Sequence, residues 1–531
     1  MVDLLKADAP RKAMAMMLAV VTLLGPTSIP AFGAEKSAPH GGAKTATPIQ
    51  HLVVIFQGNV SFDHYFGTYP VATNPFGEPK FFAIPGTPTV NGFTNALLNF
   101  NPNLNPANGA GASNPFRLDR SQAVTPDQDH DYTAEQLAFD AGLMDRFPSE
   151  TSSGGNEVMG YYDGNTVTAL WNYAQFFSMN DNSFGTTFGP STPGLMNLVA
   201  GQTNGVSATA NGTGDETSDG NGGLTVIGDP DPIDDVCSNP TRNQVRMSGK
   251  NIGDLLTAAG VSWGGFMGGF NLKTVNANGT TGCTRSSTGL AGTTADYIPH
   301  HSFFNYWSST ANASHARPAS VWEIGHAGPA NHQYDLQDFF AAAEVGNLPA
   351  VSFLKAIAIQ DGHAGYSDPL DEQTFVVKTI NFLQTLPTWS STAVVVMYDD
   401  SDGWYDHQMG PIVNTSTGTA DALTGPGTCG NGMQVLPGVS GLPAMGRCGY
   451  GPRLPLLVIS PWAKRNFVDH TVTDQSSIIH FVEDNWLGGS RIGQGSYDGI
   501  ASSISQMFDF SQRHPEHKLF LDPSTGTPKH E

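Results

Sequence analysis

Two adjacent carboxylates, Asp399 and Asp400, close the apolar run Thr392–Tyr398 (TAVVVMY) and open the stretch YDDSDGWYDH at residues 398–407. Placed side by side after a buried strand, they repel each other unless a proton or a cation lies between them. Hard oxygen donors of this kind suit a divalent metal ion. A lone Asp-Asp pair reads as a solvated turn, but Asp402, Asp406 and His407 follow closely, and the density of ligating groups points to a site. Asn59, in GNVSFDH, also follows an apolar run and offers a hard carbonyl oxygen, although Gly-Asn is equally turn chemistry. Ser191 lies in FGPSTPG, where two prolines and two glycines present one hydroxyl on a stiff turn. A serine attacks phosphorus only when its proton is removed or its oxygen is metal-bound. Taken alone, that segment is simply a loop. His130, His300, His301, His363 and His407 fall in loop-like segments, and each singly reads as a surface or structural histidine. Together with the aspartates they suit proton transfer and oxyanion stabilisation.

The elements that must bring these residues together alternate in type. Apolar runs at His51–Gln57, 261–266, 350–359, Thr392–Tyr398 and 454–460 predict buried strands. Periodic segments at 133–143, 250–259, 372–386 and 476–486 predict helices, the first with Thr133 as cap and Gln136 at the capping-box position. Alternation of this kind predicts an α/β fold with a mostly parallel sheet covered by helices on both faces. In such sheets, ligands bind beyond the carboxyl ends of the strands. Asn59, Asp361 to His363 and Asp399-Asp400 all sit just past predicted strands, so one sheet edge can gather them. Gly-, Asn- and Pro-rich stretches near 71–128, 202–300 and 408–450 read as large loop insertions in one domain spanning 49–531.

Composition narrows the function classes. The 531-residue chain carries a formal charge of −22, with only 25 Lys and Arg together. Such a chain repels nucleic-acid backbones and anionic membranes, so no nucleic-acid partner is expected. An anionic substrate needs a local positive centre, for which one divalent metal ion is the expected cofactor. Residues 1–34 read as a secretory signal: Lys6, Arg11 and Lys12 precede an apolar run too short to span a bilayer, and small residues follow. Residues 35–48 read as a flexible lead-in. No later stretch is long and apolar enough for membrane insertion, and the expected location is the periplasm or the exterior. Four cysteines in an exported chain imply two disulfides. Pairing within each Gly-rich insertion gives Cys237 with Cys283 and Cys429 with Cys448.

HLVVIFQGNVSFDHYFGTYP, DQDHDYTAEQ, FGPSTPG, DYIPHHSFFNYWSSTAN, DGHAGYSDP, YDDSDGWYDH and PRLPLLVISPWAKRNFVDH, in this order, resemble the bacterial phosphoesterase family that contains acid phosphatases and phospholipases C. The resemblance covers nearly the whole chain after the lead-in and implies an alkaline-phosphatase-like α/β fold. It implies Ser191 as nucleophile through a phosphoseryl intermediate, and a metal held by Asn59, Ser191, Asp399 and Asp400. It also implies that His130, His300, His301 and His363 surround the phosphate and the leaving group. One position departs from the family pattern. Glu-Asn usually follows the first strand, the Glu being a metal ligand, whereas this chain has Gly58-Asn59. Two substrate classes follow: a phosphate monoester, which the Ser-Thr-Pro-Gly loop resembles more closely, or the phosphocholine head group of a phospholipid. Gly58 motivates a third reading, a catalytically silent binding protein on the same scaffold.

Overall fold

Seven residues with hardly a polar side chain, His51–Gln57, form the first strand, β1, and all but His51 are buried. The computed structural model describes residues 44–511 and 517–529; the expected signal segment lies outside them, as does the lead-in up to residue 43. Seven more strands join β1: β2 (Ser178–Asn180), β3 (Trp263–Met267), β4 (Gln333–Asp335), β5 (Val351–Lys355), β6 (Thr392–Tyr398), β7 (Leu456–Ile459) and β8 (Phe467–Asp469). Their order across the sheet is β4-β3-β5-β1-β6-β7-β2-β8. Every pairing is parallel except the two made by β7, which runs against β6 and β2. The apolar run that became β7 carries no information about direction, since a fully buried strand looks the same either way. Strands β1, β5 and β6 are buried on both faces, which is why their sequences lack alternation.

The register of the central pair decides where the chemistry can sit. β1 and β6 run in parallel with Gln57 opposite Tyr398. Both strands end at one level, so Gly58-Asn59 and Asp399-Asp400 leave the sheet side by side. Backbone bonds fix that exit: the Asp399 N–H donates to the Gln57 carbonyl (3.0 Å), Val60 N–H to Asp400 (3.0 Å) and Gly58 N–H to Asp361 (2.8 Å). β1 lies between β5 and β6, and the carboxyl ends of such parallel strands are where these sheets bind ligands.

Several predicted elements shift at their ends. The helix expected over 133–143 is Tyr132–Phe139 (α1), and the chain turns left-handed at Asp140. Thr133 and Gln136 do not cap it. The Thr133 hydroxyl donates to the Ala420 carbonyl, while Gln136 accepts from the Ala422 and Leu423 N–H groups, so tertiary contacts claim both side chains. FGPSTPG is not wholly a turn, because Ser191 begins a ten-residue helix, Ser191–Ala200 (α2). Pro193 is tolerated there because the first-turn N–H groups have no intrahelical acceptor. Gly194 is required by close packing: a Cβ at this position would lie 2.1 Å from the Asp399 carbonyl oxygen. The helix expected over 372–386 is Pro369–Thr385, and Leu386, preceding Pro387, is extended. The insertion at 202–300 is more regular than its composition suggests. It carries a three-stranded sheet (Val206–Ala210, Gln244–Met247 and Asp231–Pro232) and a hairpin (Ser286–Gly289 with Gly292–Ala295). Cys237–Cys283 and Cys429–Cys448 both form. No helix among the described residues is long and apolar enough to cross a membrane.

Candidate active site

Ser191, first residue of α2, is buried and donates its hydroxyl to Asp400 Oδ2 at 3.0 Å, with Asn59 Oδ1 at 3.5 Å. Three elements converge in that contact: the exits of β1 and β6 and the start of α2. The α2 N-terminus is closed from the other side by Asp229, which accepts the Thr192 N–H at 2.8 Å. The Thr192 hydroxyl donates to the His300 carbonyl at 3.2 Å and so ties the start of α2 to the Pro299–His301 turn.

The two carboxylates are treated differently. Asp399 is satisfied within the protein: Lys355, the last residue of β5, donates to its Oδ2 at 2.6 Å, and its Oδ1 accepts the Asp400 N–H at 3.0 Å. Asp400 accepts the Asp402 N–H on Oδ1 and Ser191 on Oδ2. Burial pushes its carboxyl well above the usual range, against the opposing pull of His130. A buried carboxylate of this kind, with a hydroxyl and an amide oxygen beside it, fits a divalent cation on Asn59, Ser191 and Asp400. Asp399 can join only by sharing its charge with Lys355. Gly58 adds no donor. A Cβ there would stand 3.0 Å from Asp399 Oδ1 and 3.3 Å from Lys355 Nζ, so the missing side chain would have entered this ion pair.

The histidines form two groups. His300 and His301 are adjacent, with ring centroids 4.7 Å apart. His301 Nδ1 lies 3.6 Å from Asp361, and burial, together with Lys355 and the other histidines, holds this imidazole well below its usual range. His300 Nδ1 lies 3.5 Å from Asp231. On the other side, His130 and His363 meet edge to face at 5.8 Å, and Asn59 Nδ2 lies 3.3 Å from His130 Nε2. Burial disfavours the charged form of His130, but Asp400, Asp402 and Asp127 outweigh it and hold the imidazole well above its usual range. Burial lowers His363 to about 4, which leaves it neutral at ordinary pH.

His130, His363, Asn59, Ser191, Asp399 and Asp400 thus meet, with His300 and His301 joined through Thr192. Asp406 and His407 do not. Their partners are Asp63 and Arg453, which bind them in a buried network of their own. The YDDSDGWYDH motif therefore splits after Asp402. Sequence reasoning missed two residues. Lys355 carried a signal, a cation closing an apolar strand. Glu135 carried none beyond its place in DQDHDYTAEQ. Its buried carboxylate accepts the Ser401 hydroxyl at 2.6 Å and the Gly189 N–H at 3.0 Å, linking the turn after Asp400 to the turn before Ser191.

Removing the Lys355 charge should leave Asp399 buried and unpaired, at a cost of about 3–5 kcal/mol. The metal-free Lys355→Met protein should therefore melt lower than wild type and regain more on adding a divalent metal. Equal metal-induced Tm shifts in the two proteins would contradict the competition between Lys355 and metal for Asp399. For Glu135, burial raises the carboxyl to about 7 from an ordinary 4.5. Between those values the folded chain holds a proton that the unfolded chain has released, so this group's contribution to stability falls as pH rises through the window. Glu135→Gln should reduce that fall. Glu135→Ala should lower kcat roughly 10- to 100-fold with little change in KM, because it loosens the placement of Ser191 against Asp400. An unchanged pH slope, or a change confined to KM, would count against the assignment.

Comparisons with known proteins bear on the same residues. The Phosphoesterase family profile matches residues 49–487. A non-hemolytic phospholipase C of Pseudomonas aeruginosa is 25% identical over 474 residues, covering 88% of this chain and 58% of that protein. Phospholipase C A of Mycobacterium tuberculosis is 24% identical, covering 88% of this chain and 78% of that protein. The chain thus spans little more than half the length of the Pseudomonas relative. Murine ectonucleotide pyrophosphatase/phosphodiesterase 5 aligns with 65% of this chain and 95% of that chain, at 11% identity and a TM-score of 0.30, too slight a likeness to add to what the sheet itself shows. A profile match across most of the chain, over every motif that meets at the site, settles the family: the protein belongs to the phosphoesterase family.

Proposed function

We propose that the domain spanning 49–531 hydrolyses phosphate esters through a phosphoseryl intermediate on Ser191. The observation that carries this reading is the Ser191 hydroxyl on the buried Asp400 carboxylate, at a helix N-terminus ringed by histidines. Asp400 orients the Ser191 hydroxyl and takes its proton as the oxygen attacks. The positive end of α2 favours negative charge developing on that oxygen. Attack forms the Ser191 Oγ–P bond and breaks the bond from phosphorus to the ester oxygen. His130, which the surrounding carboxylates hold above its usual range, or His300 gives its proton to the departing alkoxide. Water then attacks phosphorus from the vacated side and gives a proton to the histidine that lost one, the Oγ–P bond breaks, and Ser191 recovers its proton from Asp400. A divalent metal held by Asn59, Ser191, Asp400 and the shared Asp399 would neutralise a non-bridging phosphate oxygen and lower the pKa of the Ser191 hydroxyl.

The substrate reading follows the nucleophile loop. Ser191-Thr192-Pro193-Gly194 favours a phosphomonoester of acid-phosphatase type. The relatives' names favour a second reading, a phospholipase C, whose substrate in this chain would be a phosphocholine diester. A net charge of −22 accommodates a zwitterionic head group better than an anionic surface. Two disulfides support export to the periplasm or beyond.

Assay of p-nitrophenyl phosphate and p-nitrophenyl phosphorylcholine, with and without chelator, separates the readings. Wild type should turn over the monoester faster, chelator should slow it, and Ser191→Ala should lose at least about a thousandfold in kcat. Preference for the choline diester would transfer the assignment to phospholipase C. Equal rates in wild type and Ser191→Ala would exclude Ser191 as nucleophile. Ligand binding without turnover, unrelieved by Gly58→Glu, would establish a silent binding protein.

A further inference from the structure

Three groups of side chains in the described structure bring metal-ligating atoms together. Two are closed by the protein itself. Asp63, Asp406 and His407 surround the Arg453 guanidinium, which donates to both carboxylates at 2.9 and 3.1 Å. In the second, Cys237 is spent in a disulfide, and Asp235 accepts from Tyr297, Asn305 and His315.

The third, Asp127, His130, His363 and Asp402, is closed by neither a guanidinium nor a disulfide. Its ligating atoms lie within 4.8 Å of one another. His130 Nδ1 stands 3.5 Å from Asp402 Oδ1 and 3.8 Å from Asp127 Oδ1. Asp402 is 0% exposed, and neither of its carboxylate oxygens has a hydrogen-bond partner. A fully buried carboxylate whose nearest cationic partner is an imidazole 3.5 Å away is costly, and the groups clustered with it are a second carboxylate and two imidazoles. Ligand bonds of about 2.0–2.1 Å in a tetrahedral site put donors about 3.3 Å apart, close to the spacings around His130. The Asp127 side chain is 56% exposed and leaves a way in from solvent.

From this geometry we infer that Asp127, His130, His363 and Asp402 form a second cation site, beside the one on Asn59, Ser191 and Asp400. Two imidazoles with two carboxylates select a first-row transition ion such as Zn(II), Mn(II) or Co(II) over Mg(II) or Ca(II). Ligation through His130 Nδ1 replaces that atom's 2.8 Å hydrogen bond to the Gln128 carbonyl. The Asn59–His130 contact at 3.3 Å places the second ion next to the nucleophile. Its purpose there rests on the phosphoester reading, whereas its existence does not. With the ion bound, His130 and His363 serve as ligands, and His300 remains to pass the leaving-group proton.

The test is a Co(II) titration of chelator-treated, full-length protein, read by visible absorption and calorimetry, on wild type and on Asp127→Asn, Asp402→Asn, Asp400→Asn and Ser191→Ala. Asp127 is exposed, so its variant preserves the fold, which circular dichroism verifies. The expected result is a cobalt band in wild type and Ser191→Ala that weakens at least tenfold in apparent affinity in Asp127→Asn and Asp402→Asn and persists in Asp400→Asn. Cobalt binding by Asp127→Asn and Asp402→Asn within threefold of wild type would overturn the inference. So would a single equivalent in wild type that only Asp400→Asn removes. Because Ser191→Ala is included, failure of the hydrolytic reading and failure of the second site give different results.

Discussion

The structure depends on how two adjacent buried carboxylates, Asp399 and Asp400, are neutralised. They stand at the end of a strand buried along its whole length, where an uncompensated charge is expensive. Different elements meet each of them. Lys355 reaches across from the end of β5 to Asp399, while Ser191 and His130 approach Asp400 from α2 and the DQDHDY segment. Removing any of these partners leaves charge stranded inside the protein. The need to keep the pair neutral is therefore also what assembles the site.

The parallel register of β1 and β6 makes the arrangement possible. With Gln57 opposite Tyr398, the polar residues after each strand emerge at one level. Gly194 then lets α2 press against the Asp399 carbonyl, which brings Ser191 to Asp400. Glu135 fastens the turns on either side by accepting from Ser401 and Gly189. A hydroxyl, an amide and a carboxylate from three distant segments are thereby held within about one hydrogen-bond length without support from each other's local sequence.

Much of this was legible in the sequence, for a physical reason. β1 and β6 are buried on both faces, so their boundaries are marked by abrupt changes from apolar to polar residues, and their predicted and observed limits coincide. Site residues that follow such boundaries, Asn59 and Asp399-Asp400, were equally visible. What stayed hidden depends on tertiary partners. Thr133 and Gln136 look like caps until the 420–423 segment claims them. Asp406 and His407 look like site residues until Arg453 draws them away. The direction of β7 and the role of Glu135 belong to the same class. Gly58 was legible as a departure from the family pattern, but its consequence was not. The structure shows that a side chain at this position would press on the Asp399–Lys355 pair, so a positive charge stands beside the place where the family pattern has a carboxylate.

The central claim is that Ser191 itself forms a bond to phosphorus. The direct measurement is acid quench of wild type during turnover of p-nitrophenyl phosphate, followed by intact-mass analysis and peptide mapping. The account predicts a mass increase of one phosphoryl group, about 80 Da, on the peptide containing Ser191, absent from Ser191→Ala. Turnover at full rate with no phosphorylated peptide, or with the phosphoryl group on another residue, would contradict it.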